Sequence, residues 1–594
     1  MILIPVQQME IQLLPSQVAH YERVNTMLSN MPFALDLSML GAGKTYTSTK
    51  LAMDRNYKHI IIICPVSVIP KWKAMETQYK VKFHTVMGYQ QLRSVKFHQP
   101  KHGLLTRRDY VERLFPFTGF RQHVTRDLDK VDFQVTPEYK AMVEEGTFLI
   151  IDEIQNMKNI SSQFHAASAL IKEITLHHGD LLTSCKRAFQ HSFRTAQMPD
   201  PPAFKSNVLL LSGSPMDRKE HSTHIFRALG IMTEDRLAQM NIQTRSLEMR
   251  GAQEIKDFCA LLHWERTEAI QSRRHYELFD NYVYRLFQQV FKPHCSSSMV
   301  APSNGCTLVK RNAFYSIDTE GAEIIGRGLN TLQTSTNFDG TNVNMLGNPA
   351  GAMASISRAM QVIETGKIQL FARVAKQHLD AYPASKVVIA VNFCDTITDL
   401  VELLQIYNPL VLSGSTSVHA RAQLLTNFQQ DTGTYRLLIC NQSVASTGID
   451  LDDKTGNYPR LCLVSPNYST ITSYQLGHRF MRLDTRSDAH VHFVFAKREN
   501  KTKAECSDII ELRVLDALSK KSEIMKETTE TQVGAGVVFP SDHEEWAEDG
   551  TTDELPKPQA NKIGIVQKLT SLIQRTPDGP LRLRYVMMLS RIEK

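Results

Sequence analysis

Short apolar runs recur along the chain, each of strand length and bounded by turn-forming residues. "HIIIICP", "FLIIDE", "NVLLLSGSP", "KVVIAVNF", "NPLVLSGS", "RLLICNQ", "RLCLVSP" and "HVHFVFAK" are rich in Ile, Val and Leu. Their apolar positions are continuous rather than alternating, which predicts strands buried on both faces. Most lead into helix-forming stretches or into loops of Gly, Ser, Asn and Asp. That alternation implies parallel α/β sheets. The runs fall into two groups, roughly residues 33–216 and 385–496. Between them, "IKDFCALLHWERTEAI" and "NYVYRLFQQVF" have the apolar spacing of amphipathic helices, and "GTNVNMLGNPAG" reads as a loop. Beyond residue 500, "SDIIELRVLDALSKKSEIMKE" predicts a helix, followed by the acidic, Pro-containing linker "SDHEEWAEDGTTDELPKPQ" and a last helical segment.

This pattern divides the chain into four regions: an α/β domain over 1–220, a mostly helical insertion or linker over 221–365, a second α/β domain over 366–500, and C-terminal helices with an acidic linker over 501–594. A length of 594 residues suits several cores rather than one. The longest apolar run is broken by Pro65 and is too short for a bilayer, so no membrane association is expected. The N-terminus carries no signal-peptide pattern, and nine scattered cysteines without a C-x-x-C pair suit a reducing, intracellular compartment. A net charge of +7 is a mild bias toward a polyanionic partner.

Candidate chemistry begins at "SMLGAGKTYTSTKLAM", which follows the apolar stretch Phe33 to Leu37. Gly41, Ala42, Gly43, Lys44 and Thr45 fit the end of a phosphate-binding loop. Glycines let backbone N–H groups turn toward phosphate oxygens at the start of a helix. Lys44 would reach the β- and γ-phosphates of ATP, and Thr45 would offer its hydroxyl to Mg2+. Ser38 stands where the full motif has its first glycine. A metal-orienting carboxylate at the end of a neighbouring strand is the second requirement, and "IIDEIQNMKN" supplies Asp152 for the metal and Glu153 for the attacking water. Hydrolysis also needs positive charge at the γ-phosphate, for which "SYQLGHRFMRLD" offers Gln475, Arg479 and Arg482. Spaced three apart, the two arginines would share a face on a helix.

Taken in order, these motifs resemble the Swi/Snf-type DNA-dependent ATPases of helicase superfamily two, and the resemblance spans about residues 10–525. "IICPVSVIPKWKAME", "DEIQNMKN" with its Lys158-Asn159, "LLLSGSPM", "TGKIQLFARVAKQ", "LSGSTSVHARAQLLTNFQ" and "STGIDL" are all similar to that family's signatures. Gln155 replaces the usual His of the Asp-Glu-x-His signature, and His478 stands where many helicases have Gly. The resemblance implies two RecA-like motor domains, a helical insertion and a C-terminal helical extension. It also implies Gln17 as an adenine-reading residue, Gly448 and Asp450 at the nucleotide, and Ser67, Lys71, Arg421 and Thr447 at nucleic acid. Basic pairs such as Arg107-Arg108, Lys186-Arg187 and Arg273-Arg274 would extend that track. The compact layout is more like phage and large-DNA-virus members than remodelling engines. The expected activity is ATP-driven movement on duplex DNA, with replication, repair or transcription proteins as partners. An RNA-directed motor and a nucleotide-switched transcription-factor subunit are the alternatives.

Overall fold

In a computed structural model of the protein, the structure describes residues 10–94, 102–114, 126–177, 204–241, 246–263, 278–301, 305–335, 349–498 and 511–529, with a few isolated positions besides. These residues form two compact units. One comprises residues up to 302 together with 521–529, and the other comprises 303–520.

The first unit is built on a six-stranded, all-parallel sheet. Its strands are β1 (Phe33–Asp36), β2 (His59–Cys64), β3 (Thr85–Gly88), β4 (Thr147–Asp152), β5 (Asn207–Leu211) and β6 (Ser296–Ser297), ordered β6-β1-β5-β4-β2-β3. β1, β4 and β5 are buried at every residue, as their continuous apolar sequences require. The chain leaves β1, skips two positions to β2, and later returns to fill the gap with β4 and β5. The carboxyl ends of β1, β5 and β4 therefore stand side by side at a topological switch point, where open α/β sheets bind ligands.

The second unit repeats the principle. Strands β7 (Leu308–Ile317), β8 (Lys386–Val391), β9 (Leu410–Leu412), β10 (Leu437–Asn441), β11 (Arg460–Val464) and β12 (Ala489–Arg498) are all parallel, in the order β7-β12-β11-β8-β10-β9. Both sheets are parallel α/β layers, as the apolar runs predict. No helix among the described residues is long and apolar enough to cross a membrane.

Residues 221–365, expected as one mostly helical region, are shared between the units. Helices His221–Ala228, Arg250–Leu262 and Leu278–Leu286 belong to the first unit. Aromatic side chains of these helices and of the following turn, Phe287–Phe291, close over β1: the Phe33 ring lies 6.0 Å from that of Phe291, and the Phe226 ring lies 4.8 Å from the same ring. The region also adds an edge strand to each sheet, β6 to the first and β7 to the second. β7 reads "LVKRNAFYSI", with Lys310 and Arg311 interrupting its apolar side chains, so no buried-strand pattern marks it. It forms because β12 offers ten consecutive parallel pairings. An antiparallel hairpin, Leu105–Leu114 with Arg126–Val135, was likewise not expected from its charged sequence. The pairs Lys186-Arg187 and Arg273-Arg274 and the acidic linker lie outside the described residues.

Candidate functional site

At the carboxyl end of β1, the chain turns through residues 37–43 into helix α2 (Lys44–Asp54). Two glycines make this turn possible. Gly41 has φ +84° and Gly43 has φ +96°, in the left-handed region that favours glycine. A Cβ on Gly43 would also lie 2.2 Å from Gln17 Nε2. Gln17 lies on helix α1 (Pro15–Asn30) and latches the loop: its Nε2 donates to Ala42 O at 3.0 Å, and its Oε1 accepts from Leu14 N at 2.9 Å. Lys44 Nζ donates to the loop carbonyls of Ser38 and Met39, at 2.9 and 3.2 Å. Ser38 has its own reason to replace glycine. Its hydroxyl accepts from Met299 N at 2.9 Å, tying the loop to the segment after β6.

Beneath the loop lies a buried carboxylate–imidazole pair that the motifs do not reveal. His20 Nε2 stands 3.2 Å from Asp36 Oδ2, and His20 Nδ1 stands 2.9 Å from Ser297 Oγ. Burial pushes the Asp36 carboxyl upward, but His20, Lys44 and Ser38 outweigh it and hold the group below its ordinary range.

The carboxylates end β4. Asp152 is buried, and the Trp72 indole N–H donates to its Oδ2 at 2.9 Å. Trp72 is thus a core residue whose indole N–H finds a buried polar partner. Glu153 follows with φ +60° and ψ +61°, a strained conformation for a side chain of this size. Gln155 Nε2 donates to Glu153 Oε2 at 2.7 Å, Ser212 Oγ donates to Gln155 Oε1 at 2.7 Å, and Ser214 N donates to Ser212 Oγ at 2.9 Å. Gln155 therefore joins the β4 carboxylate to the loop after β5. Lys158, one turn on, pairs with Asp217 of that same loop at 2.9 Å.

Burial and the neighbouring Glu153 charge raise the Asp152 pKa to about 7, against the Trp72 hydrogen bond and the Lys44 and Lys71 charges. A hard divalent cation is the natural complement to two adjacent carboxylates in this state. Asp152 and the half-buried Thr45 on the first turn of α2 are the oxygen donors that would hold Mg2+. The same shift has a measurable consequence without metal. Folded Asp152 keeps a proton that the unfolded chain releases near its ordinary 3.8, so the native state loses stability as pH rises from there through about 7. Asp152→Asn removes that loss. In the absence of metal and nucleotide, the variant should gain on the order of 2 kcal/mol relative to wild type between about pH 5 and about pH 8. Thermal melts at the two pH values check this, and a pH-independent difference would refute the buried-charge account.

Other candidates sit on the same edges of their sheets. Ser67 lies in the turn Val66–Val68 directly after β2, with Lys71 exposed on the following helix, Ile69–Tyr79. In the second unit, Arg421 lies on helix Val418–Gln429, where its Nη2 donates to Thr416 O at 3.4 Å. Thr447 and Gly448 follow the short helix after β10, and Gly448 has φ +70°.

Gln475 is buried in helix Thr470–Gly477, which ends before the arginines. Arg479 occupies a 3-10 turn, His478–Phe480, and Arg482 lies beyond it, so the two do not share an α-helical face as their spacing suggests. They converge by another route, both turning back onto residues 446–450. Arg479 Nε donates to Ser446 O at 2.8 Å, and Arg482 Nε pairs with Asp450 Oδ1 at 2.7 Å. Arg460, buried and absent from the sequence-based candidates, shapes this loop from below by donating to Leu451 O and Asp452 O at 3.2 and 3.3 Å. His478 is held as well: its ring lies 4.5 Å from that of Tyr474, and its Nε2 lies 3.2 Å from Lys310 Nζ. The surrounding protein lowers the Lys310 ammonium to about 8 by burial.

No family model matches the chain. A protein of Acanthamoeba polyphaga mimivirus, provisionally named an ATP-dependent RNA helicase, is 21% identical over 455 residues, covering 76% of this chain and 73% of that protein. Among solved structures, the Sulfolobus solfataricus SWI2/SNF2 ATPase core in complex with dsDNA is 14% identical, covers 89% of this chain and 100% of its own, and has a TM-score of 0.29. The Pyrococcus furiosus Hef helicase domain is 13% identical, with 80% and 94% coverage and a TM-score of 0.31. In the order and content of its motifs, the chain resembles the Swi/Snf-type superfamily-two helicase-like ATPases.

Proposed function

We propose that this chain is an ATP-dependent nucleic-acid motor, coupling hydrolysis to movement on duplex DNA. The observation that carries the reading is the strained Glu153, wired through Gln155 to Ser212 on the loop beside the phosphate-binding turn. Strain of this kind costs roughly 1–3 kcal/mol and persists where surrounding structure enforces it, typically at working sites.

In the proposed cycle, amides of Gly41 to Thr45 and the Lys44 ammonium hold the phosphates. Glu153 takes a proton from water as its oxygen bonds to the γ-phosphorus; the bond to the β–γ bridging oxygen breaks, leaving ADP and phosphate. Mg2+, held by Asp152 and Thr45, would supply neutralisation of the phosphate charge. Arg479 and Arg482 would give up their bonds to Ser446 and Asp450 and offer their charge to the γ-phosphate. Gln475, Gly448 and Asp450 would act with them. Ser67, Lys71, Arg421 and Thr447 would contact the nucleic-acid backbone, which gives affinity without sequence preference.

A second reading, an RNA-directed motor, is supported by the name of the mimivirus relative, an ATP-dependent RNA helicase. ATPase assays with duplex DNA, single strands and RNA separate the two. Stimulation greatest with duplex DNA is expected, and it should weaken steeply with salt. Preference for RNA transfers the reading to the second motor. Hydrolysis indifferent to every nucleic acid defeats both, and hydrolysis unchanged in Lys44→Ala defeats the site.

A further inference from the structure

The amino edge of the first sheet, opposite the phosphate-binding turn, holds a cavity of about 410 Å3 that the proposed cycle does not use. Two segments build its rim as they enter neighbouring parallel strands. "NYKHII" leads into β2 with Lys58 and His59, and "VKFH" leads into β3 with Lys82 and His84. In the second segment Val81 and Phe83 are buried, whereas Lys82 and His84 are exposed. His84 N donates to Ile60 O at 2.8 Å, which ties the two segments together. The His59 and His84 rings stand 5.4 Å apart, edge to face at 83°. Met53, Ile60 and Val81 supply an apolar part of the lining.

The charges here are unbalanced. Glu145 pairs with His59 Nε2 at 3.1 Å and with Lys58 Nζ at 3.7 Å. Lys82 and the His84 ring nitrogens have no hydrogen-bond or ion-pair partner among the described residues. Burial and the charges of His59 and Lys82 hold the His84 imidazole below its ordinary value. An anion placed among these groups converts their mutual repulsion into shared attraction. Inorganic phosphate alone would leave most of the volume empty, whereas cavities of this size suit small organic ligands. A phosphomonoester matches the rim better than a carboxylate, because it carries nearly twice the charge and three acceptor oxygens to divide among Lys58, Lys82 and His84.

We propose that this cavity binds a small phosphomonoester, with Lys58, Lys82 and His84 on the phosphate and the apolar lining against the organic part. Glu145 positions His59 at the rim by holding its Nε2. The site stands at the other edge of the sheet from Lys44 and does not depend on the nucleotide reading.

Histidine-selective NMR of the full-length chain tests it, with the His84 signals assigned by their loss in His84→Gln. The titrations use Lys44→Ala, which removes the ammonium proposed to hold phosphate at the turn after β1. Phenyl phosphate should raise the pH midpoint of the His84 ring signals by about 1 unit and bind about 10-fold more tightly than inorganic phosphate. Lys82→Glu should abolish both responses, and Lys82→Arg should retain them. Phenol, or sodium chloride at matched ionic strength, should leave the midpoint where it was. An equal response to sodium chloride would reduce the effect to screening and overturn the site. So would a midpoint unmoved by phenyl phosphate, an equal response to phenol, or a response that survives Lys82→Glu. A response to short duplex DNA without one to phenyl phosphate would assign the rim to backbone phosphates and overturn the small-molecule site.

Discussion

Glu153→Gln is expected to lower the turnover number for ATP by about 10^3-fold while leaving nucleotide binding intact. The substitution keeps the shape of the side chain and an oxygen that can accept from Gln155 Nε2, so the network to Ser212 survives. What disappears is the carboxylate's capacity to take a proton from water. Neighbouring Asp152 cannot substitute, because its Oδ2 is engaged by Trp72 and burial favours its protonated form. Single-turnover hydrolysis with a parallel nucleotide titration measures both quantities. A loss of less than about 10-fold would leave Glu153 as a strained strand cap with no part in proton transfer.

The largest stability effect is expected at a buried pair within the second unit. Lys367 and Glu511 form a salt bridge of 2.9 Å with both side chains at 0% exposure. Lys367 Nζ also donates to Val494 O at 3.2 Å, and Glu511 Oε2 accepts from Ala496 N at 3.1 Å. Both extra bonds reach β12, so the pair joins the start of helix Ile368–Ala381 and the entrance to the last described helix to one strand. Lys367→Met leaves a buried carboxylate without its cation and should destabilise the second unit by about 3–5 kcal/mol. Replacing both partners with apolar residues should recover most of that loss, since two desolvated charges vanish together. Hydrogen exchange of the β12 amides across a denaturant series reports on this unit directly. A cost below about 1 kcal/mol for Lys367→Met would mean that solvent reaches the pair.

The phosphate loop was readable because its determinants are local. Glycines at positions 41 and 43, a following Lys-Thr and a preceding apolar strand dictate a left-handed turn into a helix, and φ values of +84° and +96° are the result. The buried strands were readable for a similar reason: a run such as "HIIIIC" is stable only between two covered faces. The arginine pair was not. Spacing placed Arg479 and Arg482 on one helical face, but the helix ends at Gly477 and hydrogen bonds to Ser446 and Asp450 orient them instead. Charged edge strands such as β7 escaped detection as well, because an unbroken partner strand compensates for weak local preference.

The sequence by itself determined the order of the motifs, the two parallel-sheet cores and the chemistry available at each strand end, since all of these follow from periodicity and residue type over short stretches. Only the tertiary structure decided which of those groups meet. Trp72 with Asp152, Gln155 with Ser212, His20 with Asp36 and Lys367 with Glu511 are separated by 80, 57, 16 and 144 positions. No local pattern encodes such pairs. They arise from strand order and register, which bring distant side chains to one buried edge where each polar group must find a partner.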